Sequence, residues 1–373
     1  MTPEQASHHY HWCRYNAQTK TIELFLDHHV LSTLRTCESL FLNEHLLNIR
    51  PKYGTGRKPW FLDFGSFMHD CYDVYYKSLK DGKVIEIIEW LNYAKKLWLE
   101  MKMNEYGALG NIDQDKYEDI GGWDGVASLL IQYYTFYMDL RVRVIDTEIS
   151  FGQNREVPLG TFQHFLNTDD YNDYPYNINC YLTGRIDLLI DNGNKIGPVD
   201  HKHTHRFKGD EWTKFNPQDA ITGYILAINS IMQQSYPKYY EQGRQCLSAW
   251  VYHISACSPS KSRKTGELGP RFKATPIDKD LSQLEDYKAR QLTTFKRICA
   301  ILFNDETPQW NTNACHNIFN RRCPMLPIHE APSREWNHII ADHYEIGEAW
   351  NPNKRTENVE KTTEVLSAGT PTK

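Results

Sequence analysis

The sequence predicts an α/β or α+β core with a helical N-terminal elaboration, and three observations carry that prediction. Residues 184–204 read GRIDLLIDNGNKIGPVDHKHT, two apolar runs around an Asn-Gly turn, which is the pattern of a β-hairpin. Residues 142–151 (VRVIDTEISF) and 247–254 (LSAWVYHI) read as further strands. Residues 83–103 and 126–141 are long, aromatic-rich amphipathic stretches at helical spacing. The order is helices, then strand, hairpin, helix and strand, then helix, which suits a sheet packed against helices.

Taken in order, residues 1–25 read as a loosely ordered lead-in. His8, His9 and His11 there suit a solvated tail. Residues 31–42 read as a helix opened by Ser32 as N-cap, with Cys37 as a small buried hydrophobe. The Gly/Pro-rich stretch 50–59 carries Arg50, Lys52, Arg57 and Lys58, and suits either a solvated loop or a contact with a phosphate backbone. Ser66 reads as the cap of the next helix, with His69 in its first turn. Residues 26–140 thus form a helical region. Residues 141–330 hold the core, in which 152–180 reads as a polar excursion and 217–228 as a helix with Pro217 near its start. Residues 261–273 form a basic, turn-rich loop holding Arg263, Lys264, Arg271 and Lys273, the best candidate for phosphate contact. A long helix follows over 279–303, then a segment holding Cys315, Cys323 and His329. Residues 331–373 read as a C-terminal extension, disordered from about 351.

Composition narrows the function classes. With 42 basic and 47 acidic residues the formal charge is -5, so any nucleic-acid contact must come from local patches. Mean hydropathy is -0.63 and no apolar run approaches the ~18 residues of a membrane span. The first residues lack the apolar stretch of a secretory leader. Nine cysteines, an odd number, point to a reducing compartment, with thiols in the core or on a metal rather than in a disulfide frame. A cytoplasmic protein is the expectation.

The hairpin carries the chemistry. With Asn192 and Gly193 as the loop residues, Asp191 faces Asn194, Asp187 faces Pro198, and Arg185 faces Asp200. Asp187 and Asp200 are then diagonal neighbours on one face, roughly 7–8 Å apart at Cα. Lys202 shares that face because side chains alternate, while Ile186, Leu188, Ile190 and Val199 fall on the apolar face. Two carboxylates and an ammonium suit a divalent cation and a phosphate: cleaving a phosphodiester needs a directed hydroxide, charge relief and help for the leaving oxygen. Pro198 lies inside the second strand, where a bulge would change which residues face each other.

These residues resemble the RecB-type branch of the PD-(D/E)xK nuclease superfamily, which includes the nuclease domains of RecB and AddB and the CRISPR-associated and phage exonucleases. Phe64-Gly-Ser-Phe-Met-His69 resembles the family's G-x-x-x-H motif, Gly184-Arg-Ile-Asp187 its G-x-x-D motif, and Asp200-His-Lys202 its D-x-K motif. Glu148 and Tyr224 stand where a strand glutamate and the tyrosine of a Q-x-x-x-Y helix occur, although the family's glutamine position holds Ala220. The resemblance implies a restriction-endonuclease-like α/β core, a central mixed sheet flanked by helices. It implies Mg²⁺ or Mn²⁺ held by His69, Asp187, Asp200 and the backbone carbonyl of His201, with Lys202 and Tyr224 completing a catalytic set. It implies a DNA exonuclease acting on ends or single strands in a phage or prokaryotic setting of replication, recombination or repair. The alternatives are an endonuclease of the same fold or a non-cutting accessory protein. A helicase, recombinase or replication partner is left unidentified, and no membrane partner is expected. Many relatives hold a [4Fe–4S] cluster on one early and three late cysteines. Here Cys37, Cys315 and Cys323 match, and His329 stands in place of the fourth. That set is open to a cluster, to zinc or to neither.

Overall fold

In the computed structural model one long strand, β6 (Tyr176–Asp191), contributes to both of the units into which the chain divides. The structure describes residues 1–52, 60–106, 118–138, 142–166, 175–207, 219–257, 270–317 and 323–352. Unit one comprises Met1–Tyr53, Ser150–Gly184 and Ser282–Lys373; unit two comprises Gly54–Ile149 and Arg185–Leu281. Each contains mixed-sheet pairing flanked by helices.

In unit one, residues 1–25 are more ordered than their polarity suggests. They hold α1 (Pro3–His9), β1 (Cys13–Asn16) and most of β2 (Thr21–Asp27). The signal was local: Thr2 and Gln5 form a reciprocal capping box, and Pro3 opens the helix. Tyr10, Trp12 and Cys13 are buried and anchor the segment. β1 pairs antiparallel with β2, and β2 pairs parallel with β6 from Thr21↔Asn177 to Asp27↔Thr183. The stretch 152–180 is likewise not a mere excursion. It contains β5 (Pro158–His164), antiparallel to β6, and the start of β6 itself. Asn and Tyr mask the alternation there, because Asn177, Asn179 and Tyr181 take the more exposed positions alternating with buried Ile178 and Cys180.

The predicted helix at 31–42 begins earlier and breaks. α2 (His28–Thr36) is capped by Asp27, whose carboxylate accepts from Val30 N at 2.8 Å, so Ser32 lies inside it. Cys37 is extended and separates α2 from α3 (Glu38–Phe41), which runs into a π turn, Leu42–Leu46. β3 (Ile49–Pro51) follows in chain order and pairs with a strand near the C-terminal end of unit one, Tyr344–Ile346. The extension beyond 331 is thus structured as far as that strand, and residues 353–373 lie outside the described residues.

In unit two, α4 (Trp60–Lys80), α5 (Ile87–Tyr106) and α6 (Gly122–Met138) build an aromatic core. Tyr72, Tyr75, Trp90 and Tyr133 are essentially fully buried there with Leu188, Ile190 and Val199 of the hairpin. Full burial of one large apolar side chain contributes roughly 1.5–3 kcal/mol, so this cluster alone fixes where the hairpin's apolar face must lie. α4 starts before Ser66, which therefore sits within the helix, and His69 is mid-helix rather than in a first turn. β4 (Arg143–Phe151) pairs with β6; β7 (Ile196–Thr204) pairs antiparallel with β6, and β8 (Ser248–Ser255) parallel with β7. β9 (Phe272–Asp278) closes the order, and α7 (Asp219–Ser235) packs on β7 and β8.

The hairpin register differs from the two-residue-loop reading. Asp191 pairs with Ile196 and Leu188 with Val199, leaving a four-residue loop, Asn192 to Lys195. The partners shift by two residues, an even number, so every side chain keeps its predicted face. Pro198 pairs with Leu189 without a bulge toward β6, and the continuous ladder to β8 starts only at Val199↔Trp250. Gly197 is needed beside it: a Cβ there would lie 2.0 Å from the Ser248 carbonyl oxygen. The turn is held by Asp191, which accepts from Gly193 N at 2.8 Å, Arg143 at 2.7 Å and Arg244 at 2.9 Å. These contacts hold its carboxyl below the usual range despite burial. Asp191→Ala is expected to lower unfolding stability by about 2 kcal/mol, read from the urea midpoint, because it removes charge-assisted bonds to two arginines that reach solvent.

Candidate active site

Beyond Leu188↔Val199 the strands β6 and β7 stop exchanging ladder bonds, and the Asp187 side chain enters the gap. Its Oδ2 accepts from the backbone N–H of His201 at 2.8 Å. The Nδ1 of His69, on α4, lies 3.5 Å from Asp187 Oδ1, and the Nδ1 of His201 lies 3.4 Å from Oδ2. Burial opposes a charge on Asp187, but His69 and His201 outweigh it and hold the carboxyl well below the usual range. Ligand-capable atoms of His69, Asp187 and His201 all lie within 4.8 Å of one another. Oxygen and imidazole donors at that spacing fit one divalent cation.

Asp200 is not in that group. It is 4% exposed, and Lys202 Nζ lies 2.9 Å from both its oxygens. Burial works against the lysine's charge, but Asp200 and Asp187 dominate and raise its pKa. Lys202 is therefore an ammonium, a cation beside the carboxylates rather than a base. Tyr224 is half-buried on α7.

The His201 side chain was missed from sequence, where only its backbone carbonyl was singled out. Alternation turns His201 and His203 toward the aromatic core, opposite to Asp200 and Lys202. There His201 Nε2 is 2.8 Å from Tyr133 Oη, which is 2.6 Å from Tyr76 Oη, and His203 Nε2 is 3.1 Å from Tyr72 Oη. Burial keeps both imidazoles neutral. The tyrosine bond fixes the ring so that His201 Nδ1 faces Asp187, as partners of a ligand's second nitrogen do. The only signal was the tyrosine-rich character of two separate helices, α4 with Tyr72 and Tyr76 and α6 with Tyr133.

Glu148 sits at φ 47° on β4, a left-handed conformation for a non-glycine residue. It pairs with Arg185 Nε at 2.7 Å. Burial, together with Asp187, Asp73 and Asp70, raises its carboxyl to about 8 against the pull of Arg185.

The remaining expected residues separate. Arg57, Lys58, Arg263 and Lys264 lie outside the described residues. Lys273 is half-buried on β9. Arg271 is not a loop cation: it is 6% exposed and donates to the Ser255 and Ala256 carbonyls, so it braces the end of β8. In unit one, Cys37, Cys315 and Cys323 share a buried apolar cluster. Cys315 Sγ is 3.7 Å from His329 Nδ1, and donor atoms of Cys315, Cys323 and His329 lie within 4.8 Å of one another. Burial raises both thiols, Cys323 to about 11.

No helix among the described residues is long and apolar enough to cross a membrane. No curated protein matches the chain. Among solved structures, that of SSO0001 is similar at 10% identity over 53% of this chain and 85% of that one, but its TM-score of 0.18 carries no argument. The family model described as the PD-(D/E)XK nuclease superfamily matches residues 28–328, most of the chain, and spans every residue of the site above. The chain belongs to the PD-(D/E)XK nuclease superfamily.

Proposed function

We propose that the protein is a Mg²⁺- or Mn²⁺-dependent deoxyribonuclease that works as an exonuclease on DNA ends or single strands. One observation carries the reading: a splayed hairpin gathers Asp187, His69 and His201 into a cation-sized group and sets the Asp200–Lys202 pair on the adjoining strand. A bound divalent ion would relieve phosphate charge and acidify a water. Asp187, His69 and His201 are the residues to hold it, and Asp200 joins them when Lys202 turns to the phosphate. The Lys202 ammonium then meets the negative charge that develops on the phosphoryl oxygens and orients the attacking water. Tyr224 lines the site from α7. The basic stretches around Arg57, Lys58, Arg263 and Lys264 guide the backbone of the strand, with Lys273 at the end of that path.

Asp187→Ala and Lys202→Ala are each expected to reduce Mg²⁺-dependent cleavage of end-labelled DNA by at least ~10²-fold. Wild-type rates in both variants refute the assignment. Exonuclease action requires rapid loss of linear substrate while covalently closed circles persist; equal attack on closed circles makes the enzyme an endonuclease.

In unit one, Cys37, Cys315, Cys323 and His329 are proposed to hold a [4Fe–4S] cluster, with histidine as the fourth ligand. A cluster there would staple the segment after Cys315 to the α2–α3 junction, where Cys37 sits. Protein isolated without oxygen is expected to be brown and to contain iron, and Cys323→Ser to lose both. Colourless protein whose zinc falls in Cys323→Ser assigns zinc to the same ligands; metal content unchanged by Cys323→Ser removes the site.

A further inference from the structure

A second cluster of ligand atoms lies in unit one, formed by His29, Glu44 and His45. None of these belongs to the nuclease motifs. His29 lies in the first turn of α2, after the Asp27 cap; Glu44 and His45 are consecutive residues of the π turn. Their ligand atoms all lie within 4.8 Å of one another. The His29 and His45 rings meet edge to face with centroids 5.8 Å apart.

The π turn explains why adjacent residues can share one target. Leu47 N donates to Leu42 O at 2.9 Å, an i to i+5 bond that widens the turn at 44 and 45. Such turns interrupt regular α-helical hydrogen bonding and are frequent at functional sites. The second sign is His45 itself. It is 7% exposed, and its Nε2 is buried with no hydrogen-bond partner. An orphaned imidazole nitrogen in a protein interior costs free energy unless something binds it. Glu44 is half-buried beside the two imidazoles. His29 is exposed, which leaves an entry path from solvent. One feature opposes cation binding: Arg50 is close enough to act on both Glu44 and His45, although its guanidinium is engaged by the Glu348 carbonyl at 3.1 Å.

We infer that His29, Glu44 and His45 form a zinc site that fastens the π turn to the start of α2. Two imidazoles and one carboxylate are a three-ligand set that zinc takes with an open fourth position. None of the three is a ligand in the group at Asp187 or in the cysteine set, but Glu44 is close enough to Cys323 to help raise its thiol, so the test includes a variant of the cysteine set.

The test uses the full-length protein, stripped with chelator and dialysed against micromolar Zn²⁺. Bound zinc is counted in the wild type and in His29→Ala and Glu44→Gln, both chosen because they spare buried His45. Each variant is expected to lose one equivalent of zinc, or to bind it at least tenfold more weakly. The zinc-induced rise in melting temperature is expected to shrink with it. In a Cys315→Ser background, which removes one ligand of the cysteine set, His29→Ala is expected to lose its equivalent all the same. Unchanged zinc content in both variants, or a loss that vanishes in the Cys315→Ser background, overturns the assignment.

Discussion

The hydrogen bond from the His201 amide to the Asp187 carboxylate is the constraint on which the site rests. Where two strands part, each backbone N–H loses its ladder acceptor and must find another. Asp187 supplies that acceptor, so one residue seals the split and carries the charge that the split exposes. Its burial is tolerable only because His69 and His201 approach the same carboxylate. The placement of α4 over β7, which puts His69 there, is in turn fixed by aromatic packing several turns long.

Strand alternation then divides labour along β7. Val199, His201 and His203 face the tyrosines, which hold the imidazoles in one orientation, while burial keeps them neutral. Asp200 and Lys202 face the other way and remain paired with each other. The aromatic core is thus more than ballast. It sets the ring angle of a residue that touches Asp187, while the Lys202 ammonium stays on the opposite side, away from that apolar packing.

Much of this was legible from the chain. Period-two alternation identified the hairpin and its two faces, and an even register shift left those faces unchanged even though the turn was longer than an Asn-Gly loop suggests. Asp187, Asp200 and Lys202 stood out by spacing and residue type, whereas His69 was a candidate only through the resemblance of Gly65-Ser-Phe-Met-His69 to a family motif. What escaped notice shares a physical character. The ordered lead-in carries a local capping box, but its anchoring rests on the burial of Tyr10 and Trp12, and Tyr10 Oη donates to the Leu46 carbonyl 36 residues away. The position of His69 within its helix depends on a start upstream of Ser66, where a serine-cap signal competed with continued helix propensity. The His201 side chain acts through Tyr133, 68 residues away in sequence, and no local pattern announces such a partner. The burial of Arg271 reflects the end of a strand, where carbonyls need donors, and not the basic composition of the loop before it.

The left-handed backbone at Glu148 has a consequence for how this sequence can change. Holding a non-glycine residue at φ 47° costs on the order of 1–3 kcal/mol. A glycine or asparagine there would relax the backbone and abolish the partner of Arg185. Stability and the acidic cluster therefore pull in opposite directions at this one position. Variants selected only for heat resistance would tend to discard Glu148, and variants selected for the intact cluster would keep the strain. Position 148 is thus a place where the history of selection on the protein can be read from a single codon.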